Sequence, residues 1–169
     1  MRCKICTVRR PRRRCPGVEG DICTVCCGTE REVTVSCPLN CEYLIQAHQY
    51  ERLPEIDPSK VPNVDIPITN SFLRDHDYLI AILMGGLLEA ALDTPGAVDN
   101  DVREALDSLT RTYRTLQSGL VYESTPQNPI AAAIHTRVQE HLAKVREVLS
   151  QQFDRQIVRD ADVLGALYY

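Results

Sequence analysis

The cysteines carry the most explicit chemistry in the chain. Cys3, Cys6, Cys15, Cys23, Cys26, Cys27, Cys37 and Cys41 fall within the first 41 positions, at spacings C-x2-C-x8-C-x7-C-x2-C-C-x9-C-x3-C, and the following 128 residues contain none. A C-x2-C pair lets two thiolates converge on one ion, as structural zinc sites require. Two such knuckles are present, Cys3 with Cys6 and Cys23 with Cys26. Eight thiols match two tetrahedral sites of four ligands each, so two zinc ions are the cofactor this pattern implies.

Disulfides are the other use of dense cysteine, and compartment decides between them. No apolar leader opens the chain, because charged residues begin at Arg2. The most apolar run, YLIAILMGGLL at 78–88, has 11 residues, whereas a membrane-spanning helix needs about 20. A cytoplasmic location without membrane insertion is the expectation, and there thiols stay reduced. A 41-residue segment with so few large apolar side chains also has almost no core unless a metal supplies one. Neither ferredoxin-type cysteine spacing occurs, which argues against an iron–sulfur cluster.

The elements that position these thiols are partly readable. Between Gly28 and Cys37, TEREVTVS alternates Val33 and Val35 with polar residues, the pattern of a short strand in a hairpin. CPLNCEYLIQAHQYERL follows, where Pro38 suits a first helical turn and Leu44, Ala47 and Ile45 or Tyr50 recur at helical spacing. Cys37 and Cys41, four apart, are then expected on one face at the start of that helix. Knuckle, strand, then a helix presenting the last two ligands is a treble-clef arrangement.

The ligand order resembles that of the cross-braced two-zinc modules, the HIT-type and MYND-type zinc fingers, over roughly residues 1–45. Cys3-x2-Cys6 stands as their first pair, Cys23 with Cys26 or Cys27 as the third, and Cys37-x3-Cys41 as the last. Cys15-Pro16 looks like the start of the second pair, but Val18 occupies the place of its second cysteine. The resemblance implies Cys3, Cys6, Cys23 and one of Cys26 or Cys27 on one zinc. Cys15, the other of that pair, Cys37 and Cys41 then hold the second, with His48 as a reserve ligand. In those families such modules serve as interaction and assembly surfaces.

RRPRRR, with Arg9, Arg10, Arg12, Arg13 and Arg14, invites a nucleic-acid reading in which a cationic loop contacts phosphates. Residues 1–41 carry a side-chain balance of +4, and the chain total of −4 leaves −8 on the remainder. Two zinc centres of four thiolates each contribute −2 apiece, so the loaded module is neutral. The arginines therefore balance thiolate charge, some by donating to sulfur. Pro11 opposes a recognition helix, and aromatics for base stacking are missing from the run.

LPEIDPSKVPNVDIP, at 53–67, places a proline every four or five residues and reads as an extended strap. After it the pattern turns helical. Residues 70–92 are apolar nearly all round and expected at the centre of a bundle, starting from Asn70 or Ser71 and with Gly85-Gly86 permitting a close crossing. Val98, Val102, Ala105, Leu106, Leu109, Tyr113 and Leu116 form a second stripe. Ile130, Ile134, Val138, Leu142, Val145 and Leu149 form a third, and DADVLGALYY supplies a last helix. Short turns between stripes imply an antiparallel bundle.

The fold class is therefore mainly α. Residues 1–52 form a small two-zinc treble-clef-like module, 53–68 a proline-rich linker and 69–169 a helical bundle. No catalytic constellation is found. Asp75-His76-Asp77 reads as a charged first turn, and His135 and His141, six apart, as helix-surface residues. The function expected is that of a non-enzymatic adaptor or scaffold acting through protein–protein interaction, with no small-molecule substrate. The alternatives are a nucleic-acid-binding or regulatory zinc finger using Arg9 to Arg14, and a thiol redox or zinc sensor resting on Cys26-Cys27.

Overall fold

The computed structural model describes residues 1–52, 63, 65, 66, 68–152 and 158–169. Most of the linker expected at 53–68 lies outside the described residues. Helix dominates, with seven helices and one two-stranded hairpin among the described residues. The chain divides into two compact units, Met1–Leu53 with Gly96–Asp99, and Pro54–Pro95 with Asn100–Tyr169.

The first unit opens with a loop carrying Cys3 and Cys6, then an antiparallel hairpin of β1 (Arg13–Cys15) and β2 (Gly20–Ile22). Arg13 pairs with Ile22 and Cys15 with Gly20, so strand alternation turns Cys15 and Ile22 into the core while Arg14 stays outside. The loop joins the hairpin through the Lys4 N–H, which donates to the Asp21 carbonyl at 2.9 Å. Helix α1 (Thr24–Thr29) and helix α2 (Glu42–His48) complete the unit. Within the same unit, the Leu39 N–H donates to the carbonyl of buried Ala97 at 2.9 Å.

Two expectations for this unit fail. The strand expected over TEREVTVS is instead the end of α1 and a tight turn, in which the N–H groups of Val33, Thr34 and Val35 all reach the Glu30 carbonyl at 3.0–3.2 Å. The Glu32 N–H donates to the Val35 carbonyl at 3.0 Å, so the segment pairs with itself in one isolated bridge, Arg31 with Val35, instead of a ladder, and Val33 is left exposed while Val35 is buried. Pro38 does not open a helix either. Residues 38–41 close as a turn from the Pro38 carbonyl to the Cys41 N–H at 2.9 Å, and α2 starts after Cys41, so Cys37 precedes it.

In the second unit, Thr69 rather than Asn70 or Ser71 caps α3 (Asn70–Asp75), its Oγ1 accepting from the Phe72 N–H at 3.1 Å. The helix expected over 70–92 breaks at His76, and α4 (Asp77–Leu92) begins there. His76 is no first-turn surface residue. Its ring stacks on Phe72 at 4.3 Å, and its Nε2 lies 3.3 Å from Asp162, which Arg159 grips through two nitrogens at 2.8 and 3.0 Å. That carboxylate ties the break to α7 (Asp160–Tyr168).

Helix α4 packs against α6 (Pro129–Gln152) and α7. The close crossing falls at Gly86, where an added Cβ would strike the His141 ring, and Asp93 pairs with Arg137 at 3.7 Å. The two contacts step in opposite directions along the chain, so α4 and α6 run antiparallel. Ile134, Val138 and Leu142 of α6 are buried, as are Ala105, Leu109 and Tyr113 of α5 (Asp99–Gln117). One surface assignment and one core expectation are corrected. His135 is 1% exposed, and burial pushes its pKa below the usual value, while Tyr78, Leu88 and Leu92 of α4 remain in solvent.

Candidate metal centre

The sulfurs of Cys3, Cys6, Cys23 and Cys26 all lie within 4.8 Å of one another. Four sulfurs about 2.3 Å from a tetrahedral ion stand roughly 3.8 Å apart, so this cage has the size for one. Among the described residues it is the one group of three or more cysteine, histidine or carboxylate ligands that meets so closely.

Local chain geometry builds the cage. The Cys3 N–H donates to the Arg9 carbonyl at 2.9 Å and the Thr7 N–H to the Cys3 carbonyl at 2.8 Å, closing a knuckle in which Thr7 takes the left-handed conformation at φ 55°. That conformation strains a β-branched residue and marks a loop fixed by its surroundings. On the opposite side Cys23 is the N-cap of α1, and its Sγ accepts from the Cys26 N–H at 3.4 Å. One residue thus starts the helix and offers a ligand. The Cys23 N–H donates to Cys3 Sγ at 3.2 Å and links the two pairs.

These bonds fit thiolates better than thiols. Burial pushes the Cys3 thiol up, but hydrogen bonds from the backbone of Cys23, Cys6 and Ile5 outweigh it and hold the group at about 6. Backbone donors at Arg9 and Val8 lower Cys6 likewise. Cys26 is pushed up to about 12 by burial and by the three sulfurs around it. Four sulfurs in one buried cage repel each other's charge, and a divalent cation is the natural counterweight.

Cys15, Cys27, Cys37 and Cys41 do not form so tight a group, yet all four line one small cavity with Arg13, Arg31, Tyr43 and Leu44. Cys15 comes from β1 and Cys27 from α1, while Cys37 lies in the preceding loop and Cys41 at the N-cap of α2. Burial pushes the Cys37 thiol up, with Cys41 and Cys15 adding in the same direction. Neighbours on a helix point about 100° apart, which is how Cys26 turns to the cage while Cys27 turns to the cavity. His48 does not face the sulfurs, and sits 3.2 Å from Glu32 and 3.7 Å from Glu51.

The arginine run divides between sulfur and solvent, and only Arg13 and Arg14 lie in β1. Arg9 hydrogen-bonds Cys23, and the thiolates of Cys23, Cys6 and Cys26 raise its pKa. Arg13 donates from Nη1 to Cys27 Sγ at 3.2 Å, with its guanidinium 4.4 Å over the Tyr43 ring. Arg10, Arg12 and Arg14 point to solvent, Arg14 standing 3.9 Å from Asp21.

Reading the run as a loop missed a hairpin whose signal was present. Pro16-Gly17, between RRC and GDI, is a turn dipeptide, and a Cβ at Gly17 would lie 2.6 Å from the Ser36 carbonyl. No helix of the described chain is long and apolar enough to cross a membrane. No family model matches the chain, nor does any curated protein or solved structure.

Proposed function

We propose that the N-terminal unit is a zinc finger of the treble-clef kind holding two zinc ions, and that the protein is a cytoplasmic, non-enzymatic adaptor working through protein–protein interaction. The observation that carries the metal reading is the convergence of Cys3, Cys6, Cys23 and Cys26 within 4.8 Å. Loop, hairpin and a helix capped by a ligand are the parts of a treble clef, with the hairpin at 13–22. The second ion takes Cys15, Cys27, Cys37 and Cys41, a donor set of four thiols around one cavity. All-thiolate, closed coordination is the mark of structural rather than catalytic zinc, because no position is left for water or substrate.

With metal bound, each centre carries a charge of −2, and Arg9 and Arg13 donate to sulfur where that charge sits. A module so neutralised presents its outer face for recognition instead of chemistry. The outward placement of Arg10, Arg12 and Arg14 favours a second reading, in which this face contacts phosphates.

Thiol labelling separates a structural centre from a redox or zinc sensor. In the zinc-loaded protein Cys26 and Cys27 are both ligands, so neither reacts with a thiol reagent until a chelator is added. Fast labelling of either one before chelation contradicts the proposed ligand sets and favours the sensor.

A further inference from the structure

The turn that carries two thiols of the second centre also holds a distant piece of chain. Residues 38–41 close from the Pro38 carbonyl to the Cys41 N–H at 2.9 Å, and inside that turn the Leu39 N–H donates to the Ala97 carbonyl at 2.9 Å. Ala97 lies in the connection between α4 and α5. It is 2% exposed, and Gly96–Asp99 belongs with the cysteine module, not with the helices that it joins. Gly96 takes the left-handed conformation at φ 79°, which glycine adopts without strain and which bends the chain just before Ala97.

The two centres are built to different tightness. The first draws its four sulfurs from two short knuckles and brings them within 4.8 Å of one another. Cys3, Cys23 and Cys26 are buried there, and backbone N–H groups donate to the sulfurs of Cys3 and Cys23. The second draws on β1, α1 and the segment 37–41, and of its thiols Cys15 is buried whereas Cys27, Cys37 and Cys41 are partly exposed. An ion at the second centre has to order the 37–41 turn as it binds, and the ordering subtracts from its affinity.

We propose that the two zinc ions have separate tasks: the first holds the module together, while the second, by fixing Cys37 and Cys41, fastens residues 96–99 onto it and is the ion released when zinc becomes scarce. The inference rests on the two-zinc reading. Coupling between two binding events is reciprocal. If the second ion steadies the turn on which Ala97 rests, the docking of Ala97 strengthens the second ion by the same factor and leaves the first alone. Loss of the second ion then frees 96–99 while the loop around the first centre keeps its fold.

Graded chelation of the zinc-loaded full chain under reducing conditions tests the division, with ions counted by native mass spectrometry and side chains followed by nuclear magnetic resonance. The expected result is a one-ion form in which the Ala97 methyl resonance moves to the position of an exposed alanine. The Thr7 amide, bonded to the Cys3 carbonyl at 2.8 Å, keeps its own. On the other side of the linkage, Ala97→Asp is expected to weaken the second ion about tenfold and leave the first unchanged, with helicity retained by circular dichroism. Val121→Glu, at a residue 95% exposed, is expected to change neither ion. Two ions that leave together, a one-ion form in which Ala97 stays buried, or equal weakening of both ions by Ala97→Asp overturns the inference and leaves the two-zinc reading standing. A chain that never takes a second ion fails that reading, and the inference with it.

Discussion

The two units of this chain keep their structure by different means. Within residues 1–52 the buried residues of the apolar class are Cys3, Cys15, Ile22, Cys23, Cys26, Val35 and Leu44, so sulfur outnumbers hydrocarbon. The helical unit buries Leu79, Leu83, Leu109, Ile134, Val138, Leu142 and Val163, each contributing roughly 1.5–3 kcal/mol when fully removed from water. One unit has a hydrophobic core of ordinary chemistry. The other has a core of thiols that repel once ionised, and its stability is bound to whatever neutralises them.

Metal removal is the strongest way to pull the units apart. Structural zinc contributes on the order of 10 kcal/mol in small modules, so a chelator under reducing conditions should unfold residues 1–52 completely. Far-ultraviolet circular dichroism should keep most of its helical signal, because α3 to α7 have their own core. Simultaneous loss of both signals would show that the helical unit depends on the metal too.

The reciprocal experiment is smaller in effect. Ile134→Ala, at a residue 0% exposed, should cost the helical unit about 2–5 kcal/mol through lost burial and the cavity left behind. Zinc content should not change. A variant that lost zinc together with helical stability would mean that the two cores are one.

The two regions also differed in what their sequences disclosed. In the helical unit, apolar residues at helical spacing marked α5 and α6 closely, since burial imposes that period directly, while the last helix was expected without a defined start. The break at His76 escaped because it is fixed by distant partners, Asp162 and Arg159 on and beside α7. His135 escaped because one polar residue inside an apolar stripe does not alter the stripe. In the cysteine unit the spacing pointed to Cys3, Cys6, Cys23 and Cys26, whose sulfurs do converge, yet not to the path between them. Val33 and Val35 alternated like a strand but lie in a turn held by the Glu30 carbonyl, whereas the true strands carry arginine and aspartate. Turns and hydrogen bonds to sulfur, not hydrophobic period, set the backbone where the core is sulfur.

Arg13 sharpens the contrast within the cysteine unit itself. It reaches Cys27 and not the Cys3 cage, so Arg13→Gln should weaken zinc at the second centre by about 10–100-fold, as loss of a supporting hydrogen bond does at other metal sites. Competition with a chromophoric chelator resolves the two affinities. Replacing Arg10, Arg12 and Arg14, which face solvent, should leave both unchanged. Equal weakening by the two sets would reduce the arginines to a diffuse charge effect.

Native intact-mass spectrometry tests the central claim most directly, because it counts the ions on the folded chain. The account predicts two zinc ions per chain after purification under reducing conditions. Cys41→Ser, whose thiol lines the cavity with Cys15, Cys27 and Cys37, should retain the ion of the Cys3, Cys6, Cys23 and Cys26 cage and lose the other. A chain that carries no metal, with its thiols paired as stoichiometric disulfides, would contradict the account at its root.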